Sequence, residues 1–322
     1  MPDSKSFFSC RIVFLFPALL TLAACSLLGG DNPRWDTDVP ESAPVTALLG
    51  TWGPEGTRIA FVHTPDSAAT EPRKFNQLWT YNLETDTMRR MMRGPLFTPH
   101  WSPSGNRLVF HSPIPQYLFT VDPDGQNLQK LTGPDSPNPD LENTVIGKWS
   151  PSGDRILYTI EAEEPRGVSM MKPDGSNARI LIRYGVQAAW FPSGERIVYV
   201  NWDQSIEEGS RNKQIYVANA DGTNQRKLTD LKNSRDVGWP SVSPDGEKIA
   251  FNYDDQIYLM SADGTNVRQV TGGDGFAAKP AWSPTGETIL FFRRFTSRGY
   301  RSLFLLDVET LEVEPVFPAE GR

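Results

Sequence analysis

One short block recurs six times along the chain and constrains its fold more than any other feature. It reads Trp52-Gly-Pro-Glu-Gly, Trp101-Ser-Pro-Ser-Gly, Trp149-Ser-Pro-Ser-Gly, Trp190-Phe-Pro-Ser-Gly, Val242-Ser-Pro-Asp-Gly and Trp282-Ser-Pro-Thr-Gly. Successive copies lie 49, 48, 41, 52 and 40 residues apart, a period that suits four short strands and their turns. An apolar triplet follows each block, as in Ile59-Ala60-Phe61, Leu108-Val109-Phe110 and Ile249-Ala250-Phe251. Such triplets lack the alternation of a half-exposed strand, so both of their faces are expected to be buried. A second apolar strand comes next, for example Ile215 to Ala218 or Ile257 to Met260. A tight turn then intervenes at Asp124-Gly125, Asp174-Gly175, Asp221-Gly222 or Asp263-Gly264, where Gly supplies the positive φ that hairpins need. The last strand of the unit mixes polar and apolar residues, as in Gln225 to Thr229, and suits an outer edge.

These units predict an all-β fold, a six-bladed β-propeller of four-stranded antiparallel blades. The strands of each blade are A (ending at the Trp), B (the triplet), C and D. Burial should rise toward B and C and fall at D, and each A-strand Trp should wedge between neighbouring blades. A flat sandwich of repeated hairpins is the alternative arrangement.

The combination Trp-Ser-Pro-x-Gly-x-x-Ile-x-Phe with Ala-Asp-Gly-Thr-Asn-x-x-x-Leu-Thr resembles the WD-like repeat of the TolB type, found in periplasmic TolB and in many exported propellers. The resemblance covers about Val45 to Phe317 and places the propeller at 45–318, with a short tail at 319–322. Units one and six depart from it at the Asp-Gly turn, which becomes Asn82-Leu-Glu-Thr and Asp307-Val-Glu-Thr, and unit five has Val242 for Trp. TolB also carries a separate α/β domain before its propeller, for which these 322 residues leave no stretch. The resemblance implies an exported binding protein of the cell envelope; the fold alone does not fix a function.

Residues 1–24 read as a signal peptide. Lys5 and Arg11 precede an almost wholly apolar run from Ile12 to Ala24, shorter than the ~20 residues a spanning helix needs. Leu22-Ala23-Ala24-Cys25 resembles a bacterial lipobox, which makes Cys25 the expected lipidation site and the protein a lipoprotein. Ser26, in place of Asp, points to outer-membrane sorting, with the domain facing the periplasm or the exterior. Residues 25–44 are rich in Gly, Asp, Pro and Ser and read as a flexible tether. The other cysteine, Cys10, lies within the signal, so a chain starting at Cys25 has no internal disulfide. Loss of Asp3, Lys5 and Arg11 takes the formal charge from −7 to −8, a balance that excludes nucleic acid as the natural partner.

Catalytic signatures are sparse. The three histidines, His63, His100 and His111, have no zinc-like spacing, and His100 reads as a strand residue. No Gly-x-Ser-x-Gly elbow occurs. Asp122-Pro-Asp124-Gly125 opens like a calcium loop, yet unit three has Lys172 in the first slot, so a turn is the better reading. No metal and no cofactor is expected. The enzyme alternative is a single-domain propeller similar to oligogalacturonate lyases, acting in the central funnel. The preferred function is a scaffold for a protein, peptide or glycan. The A–B and C–D turns are short and uniform, whereas long irregular loops (His63 to Asn76, Gly133 to Thr144, Asn201 to Lys213, Asp230 to Gly238, Arg293 to Arg301) gather on the B–C/D–A face. Variable loops on a rigid scaffold are where binding usually lives. Candidate ligand contacts are Trp202 and Asp203, then Arg235, Asp236 and Trp239, and finally Gln187 and Lys279, which sit three residues before their blade aromatics near the channel. Trp239 has a second, preferred reading, as the wedge that Val242 cannot supply.

Overall fold

The computed structural model describes residues 47–64, 76–113, 115–162, 166–202, 212–232, 234, 236–273, 275–295 and 301–317. They form six four-stranded antiparallel sheets, each made of four consecutive strands. Blade one holds β1 (Ala47–Trp52), β2 (Arg58–His63), β3 (Gln77–Asn82) and β4 (Thr87–Arg93). Blade two holds β5 (Phe97–Trp101), β6 (Leu108–His111), β7 (Leu118–Val121) and β8 (Gln129–Lys130), and blade three β9 (Thr144–Trp149), β10 (Ile156–Ile160), β11 (Gly167–Met171) and β12 (Arg179–Arg183). Blade four holds β13 (Val186–Trp190), β14 (Arg196–Trp202), β15 (Lys213–Asn219) and β16 (Arg226–Lys227). Blade five holds β17 (Gly238–Val242), β18 (Lys248–Tyr253), β19 (Gln256–Ser261) and β20 (Arg268–Gln269), and blade six β21 (Phe276–Trp282), β22 (Thr288–Arg294), β23 (Arg301–Asp307) and β24 (Val313–Pro315). The fold is therefore the predicted six-bladed propeller. The described residues contain no helix long and apolar enough to cross a membrane. The signal, Cys25 and the tether lie outside the described residues.

Burial follows the expected gradient. The B-strand triplets are sealed from solvent: β6 and β10 are buried at every position. The D strands are mostly half-buried or exposed, Met91, Met92 and Ile182 being their buried positions, and three of them are only two residues long, which leaves little free edge for unwanted pairing. The Leu-Thr or Val-Thr that follows the D strand in blades two, four and five has a specific role. Thr132, Thr229 and Thr271 are buried, and their hydroxyls accept the backbone N–H of Leu118, Ile215 and Ile257, each at 2.9 Å. A side chain thus extends the C–D ladder where the D backbone turns away, and no C-strand donor is orphaned there.

The motif Ser-Pro-x-Gly closes its turn in the same economical way. The hydroxyls of Ser102, Ser150, Ser243 and Ser283 accept the N–H five residues ahead at 2.9–3.1 Å. In the C–D turns, Asp124, Asp174, Asp221 and Asp263 accept the N–H two residues on, each at 2.8–2.9 Å. Their carboxylates serve the turn itself. Asn82 and Asp307 do the same in the two divergent units. Gly222 and Gly264 are obligatory for a further reason: a Cβ there would stand 2.5 and 2.4 Å from the carbonyl oxygens of Leu181 and Leu228, in the D strand region of the preceding blade.

The blade tryptophans lock neighbours together. The indole N–H of Trp52 donates to the Ala281 carbonyl at 3.2 Å, Trp190 to Lys148 at 3.3 Å, and Trp282 to Ser241 at 3.1 Å. In each case the acceptor belongs to the A strand of the preceding blade, and Trp52 reaches from blade one to blade six. The ring closes without exchange of strands. Its seam is a packed cluster of Ala47, Ile59, Phe61 and Tyr81 with Leu290, Leu303 and Phe317, in which the rings of Phe61 and Phe317 lie 4.9 Å apart. Trp239 does not supply a wedge for Val242. It lies outside the packed core between blades four and five, where Val242 itself packs beside Phe191, and its side chain faces the channel.

Candidate functional site: the central channel

Every A strand carries one extra residue against its B strand. The register breaks between Leu48 and Thr51, Phe97 and His100, Val145 and Lys148, Val186 and Ala189, Gly238 and Ser241, and Ala278 and Ala281. Such bulges re-aim side chains. The residue three before the blade Trp, or before Val242 in blade five, takes a left-handed backbone in all six blades: Leu49 (φ 53°), Thr98 (45°), Ile146 (57°), Gln187 (54°), Trp239 (52°) and Lys279 (60°). Non-glycine residues avoid this region, and β-branched Thr98 and Ile146 avoid it most. Six strained positions, each costing on the order of 1–3 kcal/mol, therefore ring the axis.

Five of them, all but Gln187, line a cavity of about 350 Å³. Its lining begins at these bulges and runs down the A strands to the Ser-Pro-x-Gly prolines, Pro54, Pro103, Pro151, Pro244 and Pro284. The cavity thus occupies the half of the channel toward the uniform turns, away from the long loops. The residue two before each aromatic decides how closely blades approach. A Cβ on Gly50 or Gly147 would meet Leu290 or Val109 of the neighbouring blade at 2.7 and 2.6 Å. Blades two, five and six have Pro99, Pro240 and Pro280 there, which an innermost edge strand tolerates because no ladder bond is lost.

The ionisable groups of the wall come from blades two, three and six. Lys148 reaches from β9 across to β17, its Nζ 3.5 Å from the Pro240 carbonyl oxygen. Lys279 Nζ lies 4.3 Å from the centre of the Trp239 ring, a cation–π contact. Burial pushes both lysines down to about 8. His100 donates from Nδ1 to the Trp101 carbonyl at 3.0 Å; burial, and then the charge of Lys148, depress its pKa to about 4. His111 Nδ1 is 2.6 Å from Thr98 Oγ1, and burial followed by the charge of Lys279 takes it down to about 3. Both imidazoles are neutral at physiological pH. No lining residue of the cavity is acidic.

The other sequence candidates fall elsewhere. Gln187 is committed to bridging blades: its Oε1 accepts the Trp239 N–H at 2.8 Å and its own N–H donates to Thr159 Oγ1 at 3.2 Å. Asp236 accepts the Asp255 N–H at 3.1 Å and its carbonyl accepts from Asn252 at 2.7 Å, so it braces the β18–β19 hairpin. Trp202 ends β14 on the loop face between two cations, with the Arg166 guanidinium 4.7 Å and Lys213 Nζ 5.7 Å from its ring. Asp203 and Arg235 lie outside the described residues. Lys148 was not singled out by the sequence, although a charged residue directly before a buried Trp in an innermost strand was a readable signal.

These features define a propeller whose blades converge on one cationic, aromatic channel. The family model of the TolB beta propeller domain matches residues 184–314, so the likeness to that family holds over blades four to six. Among curated proteins, an uncharacterized protein of Agrobacterium fabrum is 25% identical over 166 residues, covering 49% of this chain and 54% of that one. An uncharacterized peptidase of Bacillus subtilis, YuxL, is 23% identical over 218 residues, 65% of this chain but 30% of its own length. The chain thus spans about half of the first relative and under a third of the second. Among solved structures, a putative TolB from Agrobacterium tumefaciens superposes with a TM-score of 0.64 at 22% identity, covering 75% of this chain and 88% of that one. An oligogalacturonate lyase in complex with manganese superposes at 0.54 with 14% identity, over 87% and 98% of the two chains. Likeness at this level speaks to fold alone. The donor set here does not fit a divalent cation: among the described residues no three His, Cys, Asp or Glu gather, and the channel histidines stand beside lysines.

Proposed function

We propose that the chain is a lipid-anchored, extracytoplasmic binding propeller that holds a protein, peptide or glycan partner over its channel as part of envelope maintenance. The observation that carries this reading is the channel wall. It is built of Trp and Pro with two lysines, none of its lining residues is acidic, and its one histidine, His100, is neutral and hydrogen-bonded. Such a wall grips a ligand, and no carboxylate stands in its lining to serve as a general acid or base. The long-loop rim around Trp202 is the proposed docking side for a macromolecule, because aromatic anchors beside cations dominate interface energies. The test is cross-linking and co-purification from envelope extract. Trp202→Ala should lose the partner and Ser104→Glu, in the opposite turns, should keep it; the reverse pattern refutes the loop rim as the docking face.

One observation favours an enzyme: two channel lysines held near pKa 8 are the kind of perturbed groups that cluster at active sites. Incubation with oligogalacturonate, with and without manganese, should give no unsaturated product; its appearance would establish the lyase reading instead.

A further inference from the structure

The residue directly before each blade Trp, or before Val242 in blade five, forms a second ring nearer the uniform turns: Thr51, His100, Lys148, Ala189, Ser241 and Ala281. All six line the cavity. They abut from blade to blade, because the indole N–H of Trp52, Trp190 and Trp282 donates to the carbonyl of Ala281, Lys148 and Ser241, the same position one blade back. The ring is lopsided. Blades one, two and three contribute Thr51, His100 and Lys148, whereas blades four to six contribute small side chains that leave room opposite this polar arc. The protein does not consume the polar atoms of the arc. Thr51 is 8% exposed, yet its hydroxyl makes no hydrogen bond among the described residues. His100 carries its proton on Nδ1, which donates to the Trp101 carbonyl, so Nε2 of the neutral ring is a bare acceptor. Lys148 Nζ has one long contact, 3.5 Å from the Pro240 carbonyl oxygen, and two further donors. The charge of Lys148 acts on His100 and helps to depress its pKa, which places the two groups in one poorly screened corner.

We propose that the arc of Thr51, His100 and Lys148 binds a 2-hydroxycarboxylate. Its carboxylate accepts a charge-assisted hydrogen bond from Lys148, its hydroxyl donates to His100 Nε2 and accepts from Thr51, and its remainder lies over Ala189 and Ala281. Each part of the ligand answers one feature of the wall. A cation in a lining without acids calls for an anion. A bare imidazole acceptor turns its lone pair on any carboxylate or phosphate oxygen that approaches it, and calls for a hydroxyl donor. A plain carboxylic acid leaves Nε2 unpaired, and a diol leaves the ammonium charge uncompensated. The volume of about 350 Å³ lies at the small end of the ~300–1,000 Å³ range of ligand pockets. The inference rests on the channel being a binding site, and not on any partner at the loop rim or on the position of Lys279.

The experiment is titration calorimetry on the full chain with both enantiomers of mandelate, with phenylacetate, which lacks the hydroxyl, and with 1-phenylethane-1,2-diol, which lacks the carboxylate. One mandelate enantiomer should bind tightest, ahead of phenylacetate by about three- to tenfold, the worth of one neutral hydrogen bond. Lys148→Met should weaken it at least about tenfold, and Lys279→Met by much less. His100→Asn keeps a donor for the Trp101 carbonyl but has no atom in place of Nε2. It should bring mandelate down to the affinity of phenylacetate and leave phenylacetate unchanged, a pattern that general damage to the fold does not produce. Binding at pH 8 should take up protons, read as a dependence of the heat on the buffer, because the bound anion restores charge to a lysine held near 8. Lys148→Gln gives the same reading if the Met variant misfolds, and circular dichroism verifies each fold. The proposal is overturned if neither enantiomer binds, if phenylacetate or the diol binds as tightly, if Lys148→Met leaves mandelate affinity intact, or if His100→Asn weakens both acids alike. Trp202→Ala should leave mandelate affinity unchanged. Partner capture without mandelate binding would sink this inference alone, and mandelate binding without partner capture would sink only the rim reading.

Discussion

Replacing Trp282 separates packing from hydrogen bonding at the blade boundary. Its side chain is 8% exposed, packs with Ile289, Phe291 and Leu306 in the core of blades five and six, and donates to the Ser241 carbonyl at 3.1 Å. Trp282→Ala removes the whole indole from an interior that relaxes only in part, a loss of about 3–5 kcal/mol. Trp282→Phe keeps most of the contact area but leaves the Ser241 carbonyl without its donor, for about 1 kcal/mol beyond the small packing change. Trp101 supplies the control, because its equally buried indole N–H has no acceptor among the described residues. Trp101→Phe should therefore cost less than Trp282→Phe, and Val242→Ala, which removes two methyl groups from a half-buried site, only about 1–1.5 kcal/mol. Urea titrations followed by far-ultraviolet circular dichroism measure all of these on one scale. If Trp282→Ala and Val242→Ala lose the same stability, the tryptophans do not wedge blades. If the two Phe variants are equal, the cross-blade hydrogen bond contributes nothing.

Thr229→Val should cost about 2 kcal/mol in the same titration, since the hydroxyl both accepts from Ile215 and donates to Gln214 at 2.7 Å; Thr229→Ser should recover most of it. Acidification should destabilise the protein progressively below pH 6.5, because His100 and His111 bind protons only near 4 and 3 when folded and the unfolded chain takes them up first. His100→Asn should flatten part of that slope in thermal unfolding. At the alkaline end the sign is the same: lysines with folded pKa near 8 lose protons before the unfolded chain does, so stability should rise from pH 8 toward 10, and less so in Lys279→Met. Cys25→Ala should release the protein from membranes into the soluble fraction, where a single unmodified segment gives no anchoring; retention after a high-salt wash would disprove lipidation at that residue.

The architecture was legible because the repeat states it six times over. Period, turn glycines and sealed triplets all demand the same sheet, and the gradient from Phe61 or Phe251 at the centre of a blade to Arg268 and Gln269 at its rim follows directly. The site was legible only in part. Lys279 and Gln187 occupy equivalent positions in the sequence, yet one faces the cavity and the other is consumed by bonds to Trp239 and Thr159. The difference is made by the neighbouring blade, which the local sequence does not contain. The left-handed ring was hidden for a related reason: Ile146 and Thr98 are among the residues least suited to positive φ, and only the bulge imposed by the curvature of the innermost strands places them there. Trp239 was misassigned as a wedge because composition alone does not tell which side of an A strand an indole takes once a bulge has rotated it.

Because each blade is complete in four consecutive strands, no sheet depends on a segment borrowed from the far end of the chain. Every junction between a D strand and the next A strand is then an equivalent place to cut and rejoin the polypeptide. A circular permutant opened between β8 and β9, with Phe317 joined to Ala47 by a linker across the seam, would keep all six sheets and the three cross-blade tryptophan bonds. The same modularity lets a ring of this kind gain or lose one whole unit as a genetic event without leaving an unpaired strand behind.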